Sequence, residues 1–269
     1  MGAADDRFAQ AQGRESVSST AHRIAPAVSG DDVAPASDRR GERSRVSVKE
    51  GYERWAQTYD CNPNPLLALE KRRLPRLIPP LEGKRVLDLA CGTGRWLEWL
   101  TAWGAGSAVG LDLTAAMLAV AKDKPAVRGR VVQADCREIP FADAVFDLVI
   151  CSFALAHLRE LKGSAREVAR VAAAGARVLI SDLHPQAHAQ GWRTGFRDHR
   201  GAAEISTWPR STHELITPWL SAGFIHVNST ECWLGEPERA IFARTGKAHQ
   251  FEEFCQIPAI LILHFQRRD

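Results

Sequence analysis

No apolar run in the 269-residue sequence approaches the ~20 residues of a membrane-spanning helix, and the N-terminus lacks the apolar core of a secretory signal. A myristoylation motif is missing too, because Asp6 stands where it needs Ser or Thr. The six cysteines, Cys61, Cys91, Cys136, Cys151, Cys232 and Cys255, form no CxxC pair, so neither a zinc site nor a disulfide framework is indicated. Free thiols in a reducing cytosol are expected, and a cytoplasmic location with them. There is no basic block: 35 basic and 32 acidic residues are mixed along the chain, which leaves little electrostatic footprint for nucleic acid.

Residues 1–45 lack aromatics apart from Phe8 and show no apolar period, so a disordered tail is expected there. Asp5, Asp6, Asp31 and Asp32 argue against an organelle-targeting peptide. From Ser47 the character changes. The stretch "SVKEGYERWAQTYD" places Val48, Tyr52, Trp55, Ala56 and Tyr59 at helical spacing, with Ser47 as cap and Glu50 three positions on. "PLLALEKRRLPRLI" predicts a second helix after the turn "NPNP", so residues 46–80 read as helices that precede the main domain.

Beyond Pro80, β-rich runs alternate with helical segments, and 45% apolar residues suffice for one full core. Strands are predicted at 85–89, 107–111, 130–133, 146–151, 176–182, 225–233 and 259–266. The first five alternate with helices, which implies a parallel sheet with right-handed crossovers. The last two lie close together and predict an antiparallel pair at the edge. Between the fifth and sixth strands, about 184–210 form a long insertion of turn and aromatic character, expected to act as a substrate cap.

The most informative stretch is "VLDLACGTGRWLEWL", Val86 to Leu100, in which a β-branched run enters a turn holding Gly92 and Gly94. The third glycine of a dinucleotide fingerprint is missing, with Trp96 and Leu97 at that end. Asp112 closes the second strand 18 residues after Gly94, where a carboxylate can accept both hydroxyls of a ribose. Asp135 closes the third strand in "QADCREIPF", where it could take an adenine amino group. A nicotinamide site accounts for the glycine turn and Asp112 only. Trp96, Trp99 and Trp103 fall on one helix stripe and read as core, and Asp147 inside the fourth strand reads as structural.

Together "VLDLACGTG", "GLDLTAAML", "ADCREIPFADAVFDLV" and "RVAAAGARVLISD" resemble successive motifs of the class I S-adenosylmethionine-dependent methyltransferases, in the branch that includes ubiquinone/menaquinone biosynthesis and natural-product methyltransferases. "YERWAQTYD" is similar to the helix that often precedes the domain in that branch. The resemblance implies an α/β fold, a Rossmann-like seven-stranded mostly parallel sheet with helices on both faces and an antiparallel edge strand, over 81–269. It implies S-adenosyl-L-methionine as cofactor and S-adenosyl-L-homocysteine as product. Asp88, Gly92 and Gly94 would surround the methionine part, Asp112 the ribose, Met117 or Leu113 an adenine face, and Asp135 and the Cys136 backbone N–H the adenine edge, with Ala90 and Ser152 as further cofactor contacts. Leu89, Ala90 and Cys91 stand where many relatives carry a further glycine.

Two histidines are candidate bases: His157, beyond the fourth strand, and His184 in "SDLHP" at the end of the fifth. His184 is favoured because it opens directly into the aromatic insertion, while His157 has a ready structural role. Acceptor contacts are expected from Tyr52, Trp55, Tyr59, Phe153, Trp192, Phe196, Arg197 and Trp208. Such a lining favours a small aromatic or partly apolar molecule methylated on O, N or C. A protein methyltransferase and a non-catalytic cofactor binder remain alternatives. DNA amino-methylation is disfavoured, since "CSFA" stands where (N/D)PP(Y/F) would be. His188, His199 and His213 lack ligand spacing, so no metal is expected, and the oligomeric state stays open.

Overall fold

The computed structural model describes residues 43–269. A seven-stranded sheet forms the centre, in the order β4-β3-β2-β5-β6-β10-β9. Its strands are β2 (Arg85–Leu89), β3 (Ser107–Asp112), β4 (Val131–Gln133), β5 (Phe146–Ser152), β6 (Ala172–Leu183), β9 (Phe224–Cys232) and β10 (Ile260–Arg267). All seven predicted strands are present within a few residues. The first five are parallel, and β10 runs antiparallel to both β6 and β9. The antiparallel strand is thus the one next to the edge, inserted between β6 and β9.

Alternation along the central strands sends side chains to two separate cores. Val86, Ile150, Leu179 and Ile262 face one way, onto Trp96, Leu97 and Leu100 of α3 (Arg95–Ala102) and onto Leu69 of α2 (Pro65–Arg73). Leu87, Val149, Val178 and Leu263 face the other way, onto Val168 of α5 (Lys162–Val171) and Trp219 of α7 (Thr212–Ser221). The tryptophan stripe of α3 packs into the first core, with Trp96 fully buried. Asp147 accepts from the Arg85 backbone N–H at 2.8 Å and from its side chain, a structural tie between adjacent strands.

A second, three-stranded sheet lies outside the prediction. Its order is β1-β8-β7, from β1 (Ser44–Val46), β7 (Gly195–Asp198) and β8 (Gly201–Ile205). The 184–210 insertion therefore folds as a helix, α6 (Pro185–Ala189), and a hairpin. α1 (Val48–Trp55) lies against this sheet, capped by Ser47, whose hydroxyl accepts from Glu50 N–H at 3.2 Å. Gly51 lets the helix come close: a Cβ there would meet Ile205 at 2.7 Å. Val46, Trp55, Phe196, Ala203 and Ile205 form the small core between them.

Most of the expected tail lies outside the described residues, but its last part needs correction. Ser44 and Arg45 are strand residues in register with Ala203 and Glu204, and Val46, one residue on, is buried. The Val46 carbonyl also accepts from both the backbone N–H and the hydroxyl of Ser206. A chain beginning at Ser47 should therefore melt lower than one beginning at Arg43. Burial of one valine is worth about 1.5–3 kcal/mol, which corresponds to a drop of roughly 3–10 °C by calorimetry.

Candidate active site

The order of the parallel strands reverses between β2 and β5, so a crevice opens there outside their carboxyl ends. It holds a cavity of about 750 Å³. One wall is the glycine turn after β2. Ala90 and Gly92 line it with left-handed backbones, φ 58° and 55°. Gly94 is left-handed as well, but its place is a packing one: a Cβ would strike Val127 at 2.9 Å, and Gly94 does not line the cavity. Phe153, just past β5, faces the turn with φ 50°.

Three carboxylates reach the cavity from successive strand ends. Asp88 is buried, its Oδ2 has no partner among the described residues, and burial pushes its carboxyl up to about 8. Asp112 accepts the Gly92 N–H on Oδ2 and the Thr114 N–H on Oδ1, both at 2.8 Å, which leaves a lone pair on each oxygen. Asp135 is held by its neighbour Arg137 through a two-pronged pair, 2.9 and 2.5 Å, which lowers its pKa. Leu113, Met117, Cys136 and Ser152 also line the cavity.

The opposite wall comes from α1 and the loop after β5. Tyr52 and His157 meet there, with the phenol oxygen 2.9 Å from Nε2. His157 Nδ1 lies 3.2 Å from the Ser206 carbonyl, which can only accept, so Nδ1 carries the proton and Nε2 accepts from the Tyr52 O–H. Burial drives the His157 pKa down to about 4, so the ring is neutral. Tyr59, Phe153 and Trp208 complete this wall. The strap that carries Trp208 is fastened by Arg210, which donates to the carbonyls of Leu155, Leu158, Arg159 and Trp208.

Five other expected residues do not line the cavity. His184 caps α6 instead: its Nδ1 accepts from Gln186 N–H at 3.1 Å, and Nε2 points towards Glu231 at 3.4 Å. The proline at 185 starts that helix and turns the ring away. Trp192 packs on Phe254 at 4.4 Å between centroids. Trp55 and Phe196 stack on one another behind Tyr52, at 5.4 Å, and support the wall rather than form it. Arg197, on β7, is likewise outside the lining.

Sequence reasoning missed Arg95 and Glu70. Arg95 lines the cavity at the first position of α3, and "GTGR" places a cation directly behind the glycine turn. Glu70 lies in α2 with no exposed surface and accepts from Arg95 and Trp96 of α3, Ser152 of β5 and Ser181 of β6. Its position in a helix with no acidic neighbour gave no signal.

The comparisons with known proteins agree with this geometry. A methyltransferase-domain family model matches residues 87–180. A demethylmenaquinone methyltransferase from Clavibacter sepedonicus is 31% identical over 217 residues, covering 69% of this chain and 87% of that protein. One from Roseiflexus sp. (strain RS-1) is 34% identical over 171 residues, covering 60% and 70%. The chain belongs to the class I S-adenosylmethionine-dependent methyltransferases, in the ubiquinone/menaquinone branch. A methyltransferase structure from Mesorhizobium loti shares the fold, with a TM-score of 0.58 and 22% identity over 76% of this chain and 100% of that one. The cofactor of this methyltransferase is S-adenosylmethionine. Among the described residues, no helix is long and apolar enough to cross a membrane.

The depressed histidines make a pH signature. His157 and His188 are both held at about 4 by burial, against 6.5 for a free imidazole. Between pH 6.5 and 4 the unfolded chain takes up protons that the folded chain refuses, so these groups lose the protein stability as pH falls through that window. Asp88, raised to about 8, acts in the opposite sense. The decisive quantity is a difference: melting of His157→Gln should depend less steeply on pH between 6.5 and 4 than melting of the wild type.

Proposed function

We propose that this methyltransferase transfers a methyl group to a small, partly apolar aromatic acceptor of the quinol or phenol type. The observation that carries the reading is the neutral Tyr52–His157 pair on the cavity wall opposite the strand-end carboxylates. The relatives named for demethylmenaquinone methylation support a ring-carbon acceptor. A pinned strap over the cavity, tipped by Trp208, favours a small molecule over a peptide.

The residues present fit the cofactor. Asp88 offers an unpartnered buried oxygen that an ammonium would satisfy, and Asp112 keeps a lone pair on each oxygen for two ribose hydroxyls. Leu113 and Met117 supply apolar surface for an adenine, with Asp135 and the Cys136 backbone at its edge. Ala90, Gly92 and Ser152 complete the methionine end. When bound, S-adenosylmethionine supplies a methyl group on a sulfonium, ready for in-line displacement by an aligned nucleophile. The protein aligns the acceptor and excludes water, and takes a proton where the nucleophile must lose one.

Tyr52 and His157 can do the last of these as a relay. An acceptor hydroxyl gives its proton to the Tyr52 oxygen while the Tyr52 proton passes to Nε2 of His157. Nδ1 keeps its own proton on the Ser206 carbonyl, which holds the ring in the accepting tautomer. The acceptor gives up its proton only as the methyl group is transferred, which keeps brief the charge on a pair whose own ionised forms are disfavoured by burial; the proton left on His157 then passes to solvent.

Calorimetry with S-adenosylhomocysteine should show binding, and Asp112→Ala should weaken it about tenfold or more, because two charge-assisted bonds are lost. Tyr52→Phe and His157→Ala should bind cofactor normally and turn over a panel of quinols and phenols roughly 10²- to 10⁴-fold more slowly. Full kcat in both variants would remove the relay. His184→Ala should leave kcat and KM unchanged and cost about 1 kcal/mol of stability through the lost helix cap.

A further inference from the structure

Arg95 and Asp88 present a guanidinium and a carboxyl group to the cavity close to the glycine turn, and both are largely buried. Four basic residues line this cavity: Lys49, Arg95, Arg137 and Arg159. Lys49 and Arg159 are exposed, and Arg137 is committed to Asp135. Arg95 alone among them starts the helix that follows the glycine turn. Its bonds to Glu70 and to Ser152 both use Nη2, from a guanidinium that carries five donors.

Glu70 decides where that guanidinium sits. Its Oε2 takes Arg95 and the Trp96 indole N–H, two consecutive residues of the first turn of α3. Its Oε1 takes Ser152 at the end of β5 and Ser181 on β6. The carboxylate is thus anchored from two strands and a helix, and cannot move without breaking several bonds in a dry site. A second tie runs in the same direction: Thr93 of the turn donates to Asp60 at 2.8 Å, and Asp60 also pairs with Lys124. The segment upstream of the domain therefore holds the turn from behind.

We infer that Arg95 receives the carboxylate of the cofactor's methionine part, and that Glu70 is the positioning residue that aims it there. The inference rests on the cofactor assignment above. A zwitterionic amino acid end, carboxylate on Arg95 and ammonium on Asp88, matches the charge order of this wall. Glu70 does not line the cavity and acts through Arg95 and Ser152, which do.

The test compares two probes by calorimetry. S-adenosylhomocysteine has the amino acid end; 5′-methylthioadenosine has the same nucleoside and thioether without it. Glu70→Gln keeps the shape and removes the charge. It should weaken S-adenosylhomocysteine about tenfold or more and leave 5′-methylthioadenosine within about twofold. Equal loss for both probes would make Glu70 a general folding element, and no loss for either would free Arg95 of it; each result overturns the inference. Should Glu70→Gln fail to fold, Arg95→Gln must show the same selective loss, and an equal affinity change for both probes overturns the inference there. A wild-type protein that binds neither probe would defeat the cofactor reading itself, a separate outcome.

Discussion

A carboxylate with no exposed surface has to be satisfied inside the protein, and the placement of Glu70 constrains much of what surrounds it. Removing one partner from a buried ion pair typically costs about 3–5 kcal/mol, because the remaining charge is stranded. Four donors on three elements therefore have to arrive together: the start of α3, the end of β5 and the last residues of β6, at Ser181. Once they do, α2 is fixed against the sheet, while α1 with Tyr52 is held by the small sheet. Glu70 lies upstream of the span that the family shares, residues 87–180, and Ser181 lies one residue beyond it. The bonds around Glu70 therefore tie together chain on both sides of the recognisable motif block.

The parallel ladder was legible because its information is local. β-branched runs such as Val86–Leu89 and Phe146–Cys151 alternate with helical spacing, and the carboxylates Asp112 and Asp135 stand at strand ends where packing gives them no reason to be. The small sheet was not legible for the opposite reason. "GFRD" and "GAAEI" carry no alternating apolar period, and β1 finds its partner 159 residues away, at Ala203 and beyond. His184 shows how topology can mislead. It stands at the carboxyl end of a central strand, as expected, but a proline at the next position starts a helix, and the ring becomes its cap.

The electrostatics of the cavity also have a direction. Asp88 and Asp112 are desolvated acids whose pKa values rise, with Arg95 as the adjacent cation. The other wall, with Tyr52 and His157, is polar yet uncharged. Acids that desolvation holds back from ionising gain most from a cation brought up against them, so the strand-end side suits a cationic group, and the neutral side is left for a partner that is apolar or that ionises only during reaction.

Ala90 and Phe153 sit in left-handed backbone just past the two strands that flank the switch point, and both line the cavity. A glycine at either would relieve about 1–2 kcal/mol of local strain and return about 0.4–1 kcal/mol of it through the greater freedom of the unfolded chain. At Ala90 little else changes, whereas at Phe153 the packing of the ring on the core would be lost as well. The methyl of Ala90 borders the methionine end of the cavity, and the ring of Phe153 the wall of Tyr52 and His157. Ala90 is thus the position at which the form of the cavity can change while folding stays nearly level.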